Sequence, residues 1–159
     1  LTGHLVLSTI HTNDAPGAVT RLVDMGVEPF LVASSIIGVL AQRLVRTLCS
    51  ECKRPYEATE EEVLELGLSP DMVGPHPKFW KGEGCKSCFG TGYSGRLGIY
   101  ELMHPSDEIR QLILENVDSN TIKRKAKSQG MRTLREDGAQ KVLAGLTSSA
   151  EVLRVTSEV

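Results

Sequence analysis

Two Cys-x-x-Cys pairs constrain the fold of this chain more than any other feature of its sequence. The first pair is Cys49 with Cys52, and the second, after residues 53–84, is Cys85 with Cys88. Each pair can form a tight turn that presents two thiolates, so the two turns together supply a tetrahedral set of soft ligands. Such a set suits Zn²⁺ and leaves no coordination position open. The pattern therefore predicts a structural zinc site and not a catalytic one.

The segment around these pairs lacks the apolar periodicity of a large core. Prolines and glycines interrupt residues 49–98, except at one short helix for which Thr59 and Glu62 predict a capping box and Gly67 predicts the end. The glycines near the second pair allow backbone turns that direct amide N–H groups at sulfur. We therefore expect a small satellite domain that a metal ion holds together.

Two other uses of the four cysteines stay open at this point. Two disulfides or four free thiols would also account for them, although disulfides need an oxidising compartment and we expect no secretory signal in this chain. A redox centre normally needs one Cys-x-x-Cys pair at the start of a helix, and not two matched pairs. Zinc is the interpretation that uses both pairs.

A short apolar run precedes a polar cluster near the start of the chain. Residues 5–10 are rich in β-branched side chains and leucine, and they predict a buried strand. His4 and His11 lie at its two ends, about seven steps of roughly 3.3 Å apart, too far to share one metal. His11, with Thr9 and Thr12, would lie at the edge of the sheet where ligands bind in open α/β folds. These groups could bind a phosphate, or could only cap the next helix.

Helices account for most of the remaining chain. Asn13 or Asp14, followed by Pro16, predicts the start of a helix that ends at Gly26, and Pro29 opens a second, mostly buried helix whose apolar stripe continues to Val45. A strand is predicted at residues 97–103. Capping patterns predict four more helices, with starts at Ser106, Ser119, Thr133 with Glu136, and Ser148 with Glu151, and with ends at Gly130 and Gly145. We expect an α/β fold with a C-terminal helical bundle.

Composition and charge exclude several classes of protein. Lys and Arg number 18 against 20 Asp and Glu, so the chain lacks the basic surplus of a nucleic-acid-binding domain. The longest apolar stretch, residues 30–41, is too short for a transmembrane segment. We interpret the basic run at residues 123–127 as a solvated helix face, and Arg96 and Glu101 as solvated or paired surface charges.

The sequence contains neither a Gly-x-x-x-x-Gly-Lys-Ser/Thr phosphate loop nor an apolar strand that ends in an acidic pair for Mg²⁺. If the protein hydrolyses a nucleotide, both elements lie upstream of Leu1. The chain also begins without Met, and we expect it to be part of a longer protein.

Several motifs, in this order, resemble the secretion ATPases that drive type II secretion and type IV pilus assembly. Residues 2–15 are similar to the histidine box of that family, and the cysteine pairs are similar to its tetracysteine zinc domain. The other matching segments are residues 21–30, 41–46, 95–101 and 145–148. The pilus retraction branch lacks the zinc domain and is disfavoured. Residues 30–35 and 101–103 are more similar to the type II secretion branch than to the pilus extension branch.

The resemblance implies a fold and a function. It implies the C-terminal part of a RecA-like P-loop ATPase domain, with a histidine-box strand and two helices in residues 1–47, the zinc domain in residues 48–96, and a strand and helical bundle in residues 97–159. The full-length protein would be a homo-hexameric ATPase that uses ATP and Mg²⁺ to power type II secretion by pseudopilus assembly. It would be cytoplasmic, peripheral at the inner membrane, and bound to secretion-platform proteins there.

The resemblance also implies roles for single residues. His11 would sense the γ-phosphate of ATP, His4 would be a second catalytic residue of the histidine box, and Thr9 and Thr12 would contact the nucleotide. Because the phosphate loop and the Mg²⁺ carboxylates are missing, the fragment alone would be inactive. Two other classes stay open. One is a zinc-knuckle protein-binding module without enzymatic activity, and the other is a thiol oxidoreductase with one unusually acidic cysteine.

Overall fold

Helices and short strand pairs make up the regular structure of the chain. The computed structural model describes residues 3–157. In chain order, its elements are α1 (Ala15–Asp24), α2 (Pro29–Ser35), β1 (Val39–Leu48), β2 (Lys53–Glu57), α3 (Glu60–Glu65), α4 (Pro70–Val73), β3 (Lys78–Gly82), β4 (Tyr93–Met103), α5 (Asp107–Leu114), α6 (Ser119–Ser128), α7 (Leu134–Leu143) and α8 (Ser149–Thr156). Among the described residues, no helix has the length and apolar character needed to cross a bilayer.

The chain divides into two units, which are described separately. Unit 1 consists of Leu1–Val39 and Met103–Gln129 and is built from α1, α2, α5 and α6. Unit 2 consists of Leu40–Leu102 and Gly130–Val159 and contains the strands, α3, α4, α7 and α8. The helices of the C-terminal third are thus divided between the two units, with α5 and α6 in unit 1 and α7 and α8 in unit 2.

Polar contacts join the helices of unit 1, and each helix also buries apolar side chains, among them Val19, Val32, Ile109 and Ile122. Asp14, one of the two predicted capping residues, caps α1, because its carboxylate accepts a hydrogen bond of 2.9 Å from the Gly17 N–H. The same carboxylate forms an ion pair of 2.9 Å with Lys123 of α6. Arg110 of α5 donates to the carbonyl of Ile36, after the end of α2, at 3.1 Å. Lys123 is only 26% exposed, so the basic run is not simply a solvated face.

Residues 5–10 do not form the buried strand predicted from their composition. They have no regular secondary structure, and Leu5, Val6 and Leu7 are 71%, 78% and 89% exposed. A strand is stable only beside another strand that takes up its backbone hydrogen bonds, and within residues 3–157 no strand pairs with this segment. At residues 5–10, an apolar run was therefore not sufficient to produce strand pairing or burial.

The long second helix predicted from Pro29 was also wrong in its second half. The helix ends at Ser35, and residues 39–48 form β1, which pairs with β4. Leu40 and Leu44 are four residues apart, as on a helix face, but both are exposed, while Val45 is fully buried. The β-branched residues of this segment favour a strand, and pairing with β4 outweighs the weak helical spacing.

The core of unit 2 lies between its strands and α7 and α8. β2 pairs antiparallel with β3, with Lys53 opposite Gly82 and Glu57 opposite Lys78. The most deeply buried apolar side chains of this core are Val45, Leu66, Phe79, Ile99, Ala139, Val142 and Val152. Glu101 of β4 is 1% exposed and accepts a hydrogen bond of 3.3 Å from the Leu134 N–H. The interpretation of Glu101 as a surface charge was therefore wrong, although Arg96 is exposed.

Most helices start at the predicted capping residues. The capping boxes of Thr59 with Glu62 and of Thr133 with Glu136 are both present, and Ser106 and Ser148 cap α5 and α8. The exception is α6, where Asp118 and not Ser119 is the N-cap. Capping is local chemistry, and for that reason the sequence predicts it well.

We expect Phe79→Ala to lower the free energy of unfolding of the chain by about 3–5 kcal/mol, because Phe79 is fully buried and removal of its ring leaves a cavity. Its ring meets that of Tyr56 edge to face, with centroids 6.3 Å apart. Urea unfolding followed by the fluorescence of the single tryptophan, Trp80, measures the loss. Phe89→Ala is the matched control, since Phe89 is 93% exposed and its removal should change stability by less than about 0.5 kcal/mol. Equal losses in the two variants would contradict this description of the core.

Candidate metal centre

The four cysteines of the two pairs converge in unit 2, close to the ends of its strands. Cys49 directly follows β1 and Cys52 directly precedes β2, while Cys85 and Cys88 lie in the loop between β3 and β4. Their four sulfur atoms all lie within 4.8 Å of one another. Cys49, Cys52 and Cys88 are buried, and Cys85 is half-buried. The predicted convergence of the two pairs is thus present in the structure.

The distances between the sulfur atoms fit a tetrahedral metal site. The Sγ atoms of Cys49 and Cys85 and those of Cys52 and Cys88 are each 3.8 Å apart, and those of Cys85 and Cys88 are 3.7 Å apart. Four sulfurs at about 2.3 Å from a central Zn²⁺ lie about 3.8 Å from one another. A disulfide needs roughly 2.05 Å, and the four cysteines are free. The donor set therefore fits a structural metal ion.

Backbone N–H groups stabilise negative charge on one of the sulfurs. The N–H groups of Cys85 and Gly92 both donate to Cys88 Sγ at 3.2 Å. Burial opposes ionisation of the Cys88 thiol, but these donors and the thiols of Cys85 and Cys52 outweigh it and lower its pKa to about 6. At Cys52, burial dominates and raises the pKa to about 11. Since metal ligands must be thiolates, metal binding would displace the proton from Cys52 as well.

Backbone hydrogen bonds connect the two cysteine turns. The N–H of Cys49 donates to the Gly92 carbonyl at 3.0 Å, and the N–H of Glu83 donates to the Cys52 carbonyl at 3.2 Å. The backbone of Gly82 also lies against that of Gly92, where a Cβ on Gly82 would be 2.1 Å from the Gly92 carbonyl oxygen. Only glycine fits at this crossing. The predicted role of glycine near the second pair is thus visible in the contacts.

The residues predicted to bind a nucleotide lie in unit 1, outside this centre. His4, Thr9 and His11 are exposed, in a segment without regular secondary structure. Thr12 is half-buried and donates its hydroxyl to the Asp14 carbonyl at 3.0 Å. Thr12 thus takes part in the start of α1, and the roles of these four residues toward ATP stay predictions.

Sequence reasoning missed a polar group next to the cysteine turns. Glu151 of α8 is 1% exposed and pairs with Arg46 of β1, whose guanidinium lies 4.1 Å above the ring of Tyr93. The sequence shows Glu151 only as the third residue of a helix, which is the ordinary place for an exposed capping carboxylate. No local signal in the sequence indicates that its side chain is buried.

Comparison with known proteins shows similarity over almost the whole chain. A family model described as type II/IV secretion system protein matches residues 1–154. The type II secretion system protein E of Pseudomonas aeruginosa is 54% identical over 99% of this chain. The type IV pilus assembly ATPase PilB of Thermus thermophilus is 49% identical over 99% of the chain, and the type II secretion system ATPase E of Vibrio cholerae is 46% identical over the same share. The chain covers 31%, 18% and 31% of the lengths of these relatives.

We expect the purified chain to contain one zinc ion, measured by atomic emission. At free zinc about 1,000-fold above the dissociation constant, binding stabilises the folded state by about 4 kcal/mol, so a strong chelator should lower the melting temperature by about 10 °C. Restoring zinc should restore it. A chain without metal, whose thiols cycle between oxidised and reduced forms, would contradict the metal site and favour the redox interpretation.

We expect Gly92→Ala to lower the free energy of unfolding of the metal-loaded chain by about 3–4 kcal/mol. Gly92 has a φ of +77°, and its added Cβ would lie 2.7 Å from the Gly82 carbonyl oxygen, so left-handed strain and a backbone clash add together. Gly90→Ala is the matched control, because Gly90 has the same φ of +77° but open space at its Cβ. Gly90→Ala should lower the free energy of unfolding by only about 1–2 kcal/mol. Urea unfolding followed by Trp80 fluorescence measures both variants. Similar losses in both variants would show that the crossing is not as tight as described.

Proposed function

The chain belongs to the type II/IV secretion system protein family, and on that basis we propose that it is the C-terminal part of an ATPase that powers type II protein secretion. The observation that carries the proposal is the 54% identity to a type II secretion system protein E over 99% of the chain. Because the chain covers only 31% of that relative, the activity belongs to a longer protein. That protein would be a homo-hexamer that assembles a pseudopilus by binding and hydrolysing ATP.

The longer protein would supply what this chain lacks for catalysis. It would carry the phosphate loop and the carboxylates that hold Mg²⁺, since the 159 residues contain neither motif. It would act in the cytoplasm, peripheral at the inner membrane, with secretion-platform proteins as partners there. The chain itself contributes histidines near α1 and a four-cysteine site.

The exposed start of the chain supports the proposed RecA-like fold. Leu5, Val6 and Leu7 expose most of their surface, as the side chains of a sheet strand do when its neighbours are missing. Paired with strands of the longer protein, this segment would become a buried strand that ends just before His11. His11 would then sense the γ-phosphate of ATP, with His4 as a second catalytic residue.

Two threonines near His11 would take part in nucleotide binding. Thr9 is exposed, and Thr12 has its hydroxyl directed to the Asp14 carbonyl at the start of α1. Hydroxyl groups at a strand-to-helix junction are suited to hydrogen-bond phosphate oxygens. We propose that both contact ATP in the hexamer.

The four cysteines would hold a structural Zn²⁺. Three of the six distances between their sulfurs match a tetrahedral ZnS₄ site, and all the sulfurs lie within 4.8 Å of one another. The ion would supply binding free energy that keeps the two cysteine turns together, and it would take no part in hydrolysis because no coordination position stays open.

Two alternatives have a specific observation in their favour. The type IV pilus assembly ATPase of Thermus thermophilus is 49% identical to this chain, which favours pilus extension as the alternative motor function. Phe89, at the second cysteine turn, is 93% exposed with a φ of +53°. An exposed aromatic side chain in a strained backbone conformation favours a zinc-knuckle module that binds a protein partner.

A chimera tests the motor function. In it, this chain replaces the matching region of the Pseudomonas aeruginosa protein E, and we expect the purified chimera to hydrolyse ATP in the presence of Mg²⁺. His11→Ala in the chimera should lower kcat on the order of 100-fold with a smaller change in KM, because the γ-phosphate contact strengthens in the transition state. His76→Ala is the matched control, since His76 is an exposed histidine paired with Glu57.

The outcomes separate the alternatives. The isolated 159-residue chain should show no Mg²⁺-dependent turnover, and measurable turnover would contradict its place as a part of the catalytic domain. Equal kcat values for the His11 and His76 variants would show that His11 does not act at the nucleotide site. A chimera that restores secretion to a strain without protein E supports the type II branch. In a second chimera, this chain replaces the matching region of a type IV pilus assembly ATPase. If only that chimera is active and restores pilus assembly, the result supports the alternative.

A further inference from the structure

The carboxylate of Glu151 lies in the interior of unit 2 with two arginines as partners. The side chain has no exposed surface, one of its oxygens pairs with Arg46, and the other accepts a hydrogen bond of 2.7 Å from Arg154 Nε. A buried carboxylate costs free energy unless it is paired, and removing one partner of such a pair is costly. The arrangement therefore ties Arg46, whose own side chain is 48% exposed, to the start of α8.

Arg46 connects this carboxylate to both cysteine turns. It lies on β1, three residues before Cys49, and its guanidinium stacks 4.1 Å above the ring of Tyr93. Tyr93 directly follows Gly92, whose N–H donates to Cys88 Sγ. One guanidinium thus contacts the neighbour of Gly92, which bonds a sulfur of the second turn, while Arg46 itself belongs to the strand that leads into the first turn.

Glu151 belongs to the segment Leu146–Glu151, which we call the brace. Other residues of the brace also form hydrogen bonds with the strands. The Thr147 hydroxyl donates to the Arg46 carbonyl at 2.8 Å, and the Leu48 N–H donates to the Leu146 carbonyl at 2.9 Å. The hydroxyls of Tyr93 and Ser148 are 2.7 Å apart. The brace therefore contacts both the end of β1 and the start of β4, and the Cys49 N–H bonds the Gly92 carbonyl between them.

We propose that Glu151 is a positioning residue for the four-cysteine metal site, acting through Arg46 and Tyr93. The inference rests on the metal site of the proposed function. The brace fixes the distance between the backbone at Cys49 and the backbone at Gly92, and that distance determines how far apart the sulfurs of the two turns lie. Groups that orient metal ligands in this way typically change metal affinity 10–100-fold when they are removed.

The test uses Co²⁺ bound to the 159-residue chain, because tetrahedral thiolate coordination of Co²⁺ gives visible absorption that depends on site geometry. Zinc affinity follows from competition with the bound Co²⁺. Glu151→Gln keeps the size of the side chain but removes its charge, so Arg46 loses its ionic partner. We expect zinc affinity about 10-fold weaker or more, with shifted or weaker visible bands.

Glu101→Gln is the matched control, because Glu101 is equally buried at 1% exposed and lies in the same unit on β4, far along the strand from Tyr93. It should lower the free energy of unfolding, but it should leave zinc affinity and the Co²⁺ spectrum unchanged. Equal effects of the two variants on affinity would show that Glu151 acts only through overall stability, and would overturn the inference.

A second variant serves if Glu151→Gln does not fold. Tyr93→Leu removes the ring under Arg46 together with the hydroxyl contact with Ser148, and we expect it to weaken zinc binding about 10-fold. Wild-type affinity in either folded variant would overturn the inference while leaving the metal site intact. A wild-type chain that binds neither Co²⁺ nor Zn²⁺ would refute the metal site itself, and the inference with it.

Discussion

The backbone crossing of Gly82 and Gly92 determines how unit 2 can be built around its cysteines. A side chain at either residue would overlap the carbonyl of the other, so the end of β3 and the approach to β4 come as close as two chains can. That closeness directs the Gly92 N–H at Cys88 Sγ and its carbonyl at the Cys49 N–H. The two cysteine turns face each other because the glycines permit it.

The cysteine site replaces apolar volume that this part of the chain does not have. Cys49, Cys52 and Cys88 pack as a buried cluster separate from the core that contains Phe79 and Val45. A few small thiols bury little apolar area, and a metal ion bound by all four would compensate for it. The polar brace at Leu146–Glu151 connects the end of β1, which leads into this cluster, to the last helix, so charge pairing and hydrogen bonds add to the packing of the core.

The sequence predicted features that depend on neighbouring residues. It did not predict features that depend on a partner far away in the sequence. The cysteine spacing predicted the convergence of the four sulfurs, and Thr59, Thr133 and Ser148 predicted helix starts, because each signal acts within a few residues. Within this chain residues 5–10 do not form the predicted strand, and residues 39–48 form a strand and not a helix, since only pairing with another strand determines their state. The burial of Glu151 depends on Arg46, a residue far away in the sequence, and a capping pattern could not reveal it.

The brace follows all four cysteines in the sequence, so it is synthesised after them. The last cysteine, Cys88, precedes Glu151 by 63 residues, and at roughly 5–20 residues per second the interval is ~3–13 s. During that time the cysteine turns exist without the contacts of Thr147, Ser148 and Glu151. An ion bound by the nascent chain would then occupy a looser site, and the site would tighten only after α8 has been synthesised and has packed. Truncation within the last helix would therefore weaken a centre whose ligands are all still present.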